Sequence, residues 1–103
     1  PSALMMLGEK ISAQDAERMG MIYKVFPDDV FQQEALNIAI NLAQMPTKGL
    51  ALTKQILNNS MVNNYDDQLH DEELFQERAG RTKDYKEGVQ AFLEKRKPNF
   101  KGE

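Results

Sequence analysis

Asp84-Tyr-Lys-Glu-Gly-Val-Gln-Ala-Phe-Leu-Glu-Lys-Arg-Lys-Pro-Asn-Phe-Lys-Gly-Glu103 joins a cap-forming acid, an amphipathic run, an aromatic and a block of cations. Asp84 is a good N-cap, Glu87 three residues on completes a capping-box-like pair, and Pro98 forbids continuation. This spacing predicts a helix from Tyr85 to Lys97. On such a helix Phe92 and Lys95 lie three apart on one face, where a ring offers a stacking surface and an ammonium reaches a phosphate or a purine edge. From spacing alone the same residues also fit an ordinary buried stripe of Val89, Phe92 and Leu93, with Lys95, Arg96 and Lys97 as a solvated basic end at the negative pole of the helix.

Upstream of the tail, Asp66 and Asp67 place negative charge at the start of a helix that runs to Ala79 and is terminated by Gly80. Before it, Thr47 is expected to cap a helix over Lys48 to Asn59 carrying Leu50, Ala51, Ile56 and Leu57, in which Gly49 costs about 1 kcal/mol of helix propensity. The strongest periodicity belongs to Phe31, Ala35, Ile38, Leu42 and Met45, in a helix that Asp28 starts and Pro46 closes. Its apolar stripe must meet another element. Ser12 and Asp15 have capping-box spacing for a short helix with Ala16 and Met19 facing inward and Gly20 at its end. Ser2 to Gly8 reads as the last turns of a helix with Gly8 as left-handed terminator, its apolar residues a remnant interface. Met21 to Phe26 alternates weakly and is expected to be briefly extended, too little for a sheet. Six helical pieces and almost no strand make the chain all-α.

The 103 residues leave room for one domain of modest stability, and 41% hydrophobic with 28% charged residues lies within the range of folded globular proteins. A formal net charge of −3 would repel a polyphosphate backbone, so no nucleic-acid partner is expected in spite of the basic tail. There are no cysteines, which excludes disulfides, thiolate zinc sites and cysteine nucleophiles and fits a reducing, cytoplasmic location. No apolar run approaches membrane-spanning length, and no membrane partner is expected. His70, the single histidine, has too few neighbouring ligands for zinc, so no metal is assigned. Asp71, Glu72, Glu73 and Glu77 are read as solvated on an amphipathic helix or paired with Arg78 and Arg81, because nothing sets up the two distinct environments that acid/base catalysis needs.

Three stretches together resemble the enoyl-CoA hydratase/isomerase (crotonase) family. In the tail they are Asp84, Glu87-Gly88-Val89, Ala91-Phe92, Glu94-Lys95-Arg96-Lys97-Pro98 and Phe100-Lys101-Gly102. Near the start they are Leu4, Met6, Gly8, Ile11, Ala13, Ala16, Gly20 and Val25, and between the two lie Gln44-Met45-Pro46, Ala51-Leu52, Lys54 and Leu57-Asn58. Within the family the likeness is nearest to the phenylacetate-pathway type of enoyl-CoA isomerase.

The resemblance implies that residues 1–103 are the C-terminal helical, assembly-forming part of a longer crotonase-type enzyme whose whole fold is an α/β spiral. It further implies that the oxyanion-hole N–H groups and the acid/base carboxylates come from the preceding half, so no catalytic residue is assigned and the piece alone is expected to be inactive. The partners implied are an acyl-CoA substrate and further copies of the chain, as a trimer or a dimer of trimers. No separate cofactor is expected, since CoA enters as part of the substrate. Phe92 and Lys95 match positions that in the family border the adenosine end of CoA. The competing expectation is a free-standing helical interaction module that binds a partner through the Phe31 to Met45 stripe, with no ligand.

Overall fold

Helices form at each of the six places where caps and periodicity favour them. They are α1 (Ser2–Leu7), α2 (Ala13–Arg18), α3 (Phe31–Ala43), α4 (Thr47–Asn59), α5 (Tyr65–Gly80) and α6 (Lys83–Leu93), in a computed structural model that describes residues 2–103. No strand occurs among the described residues, so the chain is all-α. It divides into two compact units, one ending at Leu36 and the other Asn37–Glu103.

The first unit is held by local polar contacts. Gly8 ends α1 with φ 64° and donates its N–H to the Leu4 carbonyl at 3.1 Å, the left-handed stop its sequence position implied. Ser12 caps α2 by accepting the Asp15 N–H at 3.0 Å, while its hydroxyl donates to the Asp15 carboxylate at 2.8 Å. The other end of α2 closes as a Schellman turn, with Gly20 at φ 73° and the Met21 N–H on the Ala16 carbonyl at 2.9 Å. Ala16 faces inward as expected, but Met19 is half exposed, because it is the C-cap and has left the helix. Met21 to Phe26 forms bends without a strand. With no paired partner, Val25 satisfies its N–H on the Glu17 carboxylate at 3.1 Å instead.

α3 begins at Phe31, three residues after Asp28, since a turn closed by the Val30 N–H on the Pro27 carbonyl precedes it. Ala35 and Ile38 are half-buried, whereas Phe31, Leu42 and Met45 are exposed, so much of the α3 stripe has no cover within the described residues.

In the second unit α4 packs on α5 and α5 on α6. Pro46 stands at the N-cap of α4 without a side-chain cap, and Thr47 is the first helical residue, one position later than the role expected of it. The α4–α5 connection is tied by Asn59 and Asn63, whose amides donate to the Asp71 carboxylate at 2.8 and 2.9 Å. Asn64 caps α5 by accepting the Asp67 N–H at 2.9 Å. Gly80 ends α5 as its last helical residue, without a left-handed turn; Arg81 follows in right-handed geometry and the chain passes directly to α6. Phe75 and Ala91 are the buried apolar residues of this unit.

Candidate functional site

The tail is built from α6 outward. Thr82 Oγ1 accepts the Tyr85 N–H at 3.0 Å and donates to the Ala79 carbonyl at 2.7 Å, which makes Thr82 the N-cap and starts α6 at Lys83. Asp84 is therefore not the cap but a first-turn residue, only 2% exposed. Its two carboxylate oxygens accept the backbone N–H groups of Lys101 and Gly102, each at 2.8 Å, and its own N–H donates to the Glu103 carbonyl at 3.0 Å. A buried carboxylate is tolerated when charge-assisted bonds replace its water, and here the returning chain supplies them. Gly102, at φ 75°, lies so close to the Thr47 hydroxyl that no Cβ fits there. Lys83 pairs with Glu103 at 2.6 Å at the very end of the strap, raising the lysine pKa and lowering that of the glutamate.

Glu87 also serves the returning chain and not the helix N-terminus. It receives Arg96 in a two-pronged pair, Nη1 to Oε1 at 2.6 Å and Nη2 to Oε2 at 2.9 Å, and accepts the Asn99 N–H at 2.8 Å. These bonds, Arg96 first, hold the Glu87 carboxyl down at about 2. Arg96 Nε reaches Glu94 at 2.5 Å, so the guanidinium is engaged by two carboxylates. Arg96 is thus not part of a solvated basic end but is committed to the protein.

The helix stops at Leu93, four residues short of the predicted Lys97, with Glu94 as C-cap. The Arg96 N–H bonds the Ala91 carbonyl at 3.0 Å and the Lys95 N–H bonds the Phe92 carbonyl at 3.2 Å, the two bonds of a Schellman turn. Lys95 occupies its left-handed position at φ 53° and is the only non-glycine residue with positive φ among the described residues. The conformation costs a side-chain-bearing residue about 1 kcal/mol that glycine is spared. Phe92 and Lys95 thus do not share a helix face; they are neighbours across the turn. Phe92 is 82% exposed, not buried in a stripe, and neither the Lys95 nor the Lys97 ammonium has a partner among the described residues.

Phe92 stands at the edge of a mostly apolar groove of about 410 Å³, bordered by Pro46, Gly49, Tyr85, Val89 and Phe100. The Phe100 ring lies over Gly88, with 3.5 Å left for an added Cβ. A second groove, of about 700 Å³, is lined by Lys48, Arg78, Arg81 and Lys83. Three of its cations are already occupied: Arg81 pairs with Glu77, Lys83 with Glu103, and Arg78 lies 5.5 Å from the Phe75 ring centre. The Glu77–Arg81 pair was expected from the sequence; the placement of Arg78 on a ring was not. His70 is exposed, Asp71 is held below the usual carboxylate range by the Asn63 and Asn59 amides, and no group of metal-ligating side chains gathers among the described residues. Nor is any described helix long and apolar enough to cross a membrane.

Asp84 could have been found from sequence only by asking what would hold a chain that reverses at Pro98. An Asx or Glu residue near a helix start has both a local and a distant use, and the pattern does not separate them.

The backbone path has close counterparts among solved structures. The chain superposes with a TM-score of 0.86 on the crystal structure of an enoyl-CoA hydratase from Polaromonas sp. JS666, at 33% identity, covering 93% of this chain and 37% of that one. It is 46% identical over 99 residues to the 1,2-epoxyphenylacetyl-CoA isomerase of Escherichia coli K12, covering 96% of this chain and 38% of that protein. It is 36% identical over 101 residues to the 2,3-dehydroadipyl-CoA hydratase of the same organism, covering 98% of this chain and 40% of that protein. The chain therefore spans about two-fifths of the length of these relatives. The model of the enoyl-CoA hydratase/isomerase family matches residues 2–103, the whole described chain, and with that agreement in sequence and backbone this protein belongs to the enoyl-CoA hydratase/isomerase family.

Proposed function

We propose that this chain is the C-terminal helical part of a longer acyl-CoA isomerase or hydratase, where it packs subunits together and forms one edge of the CoA site. The reaction is proton abstraction or water addition beside a CoA thioester, with the enolate stabilised by backbone donors that lie outside these residues. Phe92 gives apolar surface to the adenine, and Lys95 hydrogen-bonds the adenosine moiety or neutralises its phosphate. The acyl group is of the kind that the similar isomerase and hydratase are named for, an unsaturated or epoxidised acyl thioester.

The observation that carries this reading is Lys95 itself. A lysine held in a left-handed turn where glycine would cost less, with an unpartnered ammonium and with the largely exposed Phe92 three residues before it, is arranged for something outside the chain. The uncovered apolar corner of Leu57, Met61, Val62 and Tyr65 at the α4–α5 connection supports the assembly role, since exposed patches of this kind mark surfaces that further protein covers. In the longer enzyme, Lys95→Ala is expected to raise KM for the acyl-CoA roughly tenfold and leave kcat nearly unchanged, because the contact is the same in the ground and transition states. An unchanged KM in steady-state kinetics would count against the assignment.

A further inference from the structure

Among the three consecutive cations Lys95, Arg96 and Lys97, only the middle one is consumed by the protein. Arg96 is gripped from three directions: by both oxygens of Glu87, by Glu94, and through its own Nη1 on the Lys97 carbonyl at 3.3 Å. Glu94 and Arg96 are the residues on either side of Lys95, so one ion-pair cluster fixes both flanks of the left-handed residue and ties them to the body of α6. Glu87 lies two helical turns back from Glu94, and the Asn99 N–H on its Oε1 adds the far side of the loop to the same anchor. A left-handed lysine persists only where the surroundings over-determine it, and these contacts are the ones that do so.

We propose that Glu87 and Arg96 are positioning residues: their two-pronged pair holds the 94–96 turn and with it the left-handed backbone from which the Lys95 side chain leaves the chain after Phe92. This rests on the reading that Phe92 and Lys95 meet the adenosine end of CoA. Arg96 is committed to the protein, with Nε on Glu94, Nη1 on Glu87 and the Lys97 carbonyl, and Nη2 on Glu87, and two carboxylates balance its charge. The short basic run is thus one framing residue between two free cations.

Steady-state kinetics of the longer enzyme test this with two substrates, the enoyl-CoA and the corresponding enoyl-pantetheine thioester, which lacks the 3′-phosphoadenosine diphosphate. Glu87→Gln and, as the milder change, Arg96→Lys should each raise KM for the enoyl-CoA by roughly three- to tenfold, with kcat kept and KM for the pantetheine thioester unmoved. In a Lys95→Ala background Glu87→Gln should have no further effect on KM, since the contact it serves is gone. Equal losses with both substrates, or additive effects in that cycle, would mean that the pair only stabilises the fold and would overturn the proposal. Should Lys95→Ala leave KM for the enoyl-CoA unchanged, the CoA-edge reading itself fails. Should Lys95→Ala act while Glu87→Gln and Arg96→Lys do not, that reading stands and the positioning role falls.

Discussion

α2 and α6 end in the same turn with different residues at its critical position. Each has a C-cap in right-handed geometry, then a left-handed residue, then an N–H returned to the carbonyl five residues back: Met21 to Ala16 in one case, Arg96 to Ala91 in the other. The left-handed residue is Gly20 after α2 and Lys95 after α6, at φ 73° and 53°. A Cβ added at Gly20 would meet nothing within 4 Å, so no side chain is packed on that face of the turn. Beside Lys95, Arg96 is clamped by Glu87 and Glu94, and the following chain is strapped down by Asp84. The second turn thus holds a side-chain-bearing residue where the first has glycine, and on the proposed reading of Lys95 the bonds beside it offset that strain.

The largest break in this comparison comes from removing the strap. Asp84→Ala leaves the Lys101 and Gly102 N–H groups without their acceptor in a part-buried place, a loss of about 3 kcal/mol. Hydrogen exchange in the longer protein should then show these two amides opening roughly a hundredfold faster, while the Met21 amide of the glycine-closed turn keeps its rate. Uniform acceleration at both turns would mean that Asp84 supports the fold at large and not the strap.

A smaller effect is expected from acid. The Glu87 carboxyl is depressed from 4.5 to about 2 by its bonds from Arg96 and Asn99, so its native form binds fewer protons than its unfolded one. Its contribution is complete above the unfolded value of 4.5 and is lost as the pH falls through about 2. A carboxyl-carbon titration by NMR should place the Glu87 midpoint near 2, and protection of the Arg96 amide should fall across the same interval. A midpoint at the ordinary glutamate value would remove the clamp from the account.

What the sequence disclosed, and what it hid, follows the same division between local and distant forces. The left-handed Gly8, the end of α2 at Gly20, the Ser12–Asp15 cap and the existence of all six helices are legible because each is decided within a few residues. Family membership was legible from the ordered residues of the tail. The boundaries of α6 were not. Thr82 and Asp84 are both good caps, and the choice falls to Thr82 because Asp84 is taken by backbone groups that lie 17 and 18 residues away in sequence. Pro98 marks where a helix must have ended, but the actual stop at Leu93 depends on a lysine adopting a glycine's conformation, which no residue-type rule announces. For that reason Phe92 and Lys95 were named together on the wrong geometry, as one helix face instead of two sides of a turn. The roles of Glu87 and Arg96 were hidden in the same way, since nine residues separate a pair that only the premature turn brings together.

The most direct test of the account replaces Lys95 with the residue its backbone prefers. Lys95→Gly in the longer enzyme should relieve about 1 kcal/mol of strain, slowing exchange of the Arg96 amide roughly fivefold, and should at the same time raise KM for the enoyl-CoA with kcat kept. A tighter turn joined to weaker substrate capture is the expected result. A tighter turn with KM unchanged would contradict it, because the lysine would then be strained for no ligand at all.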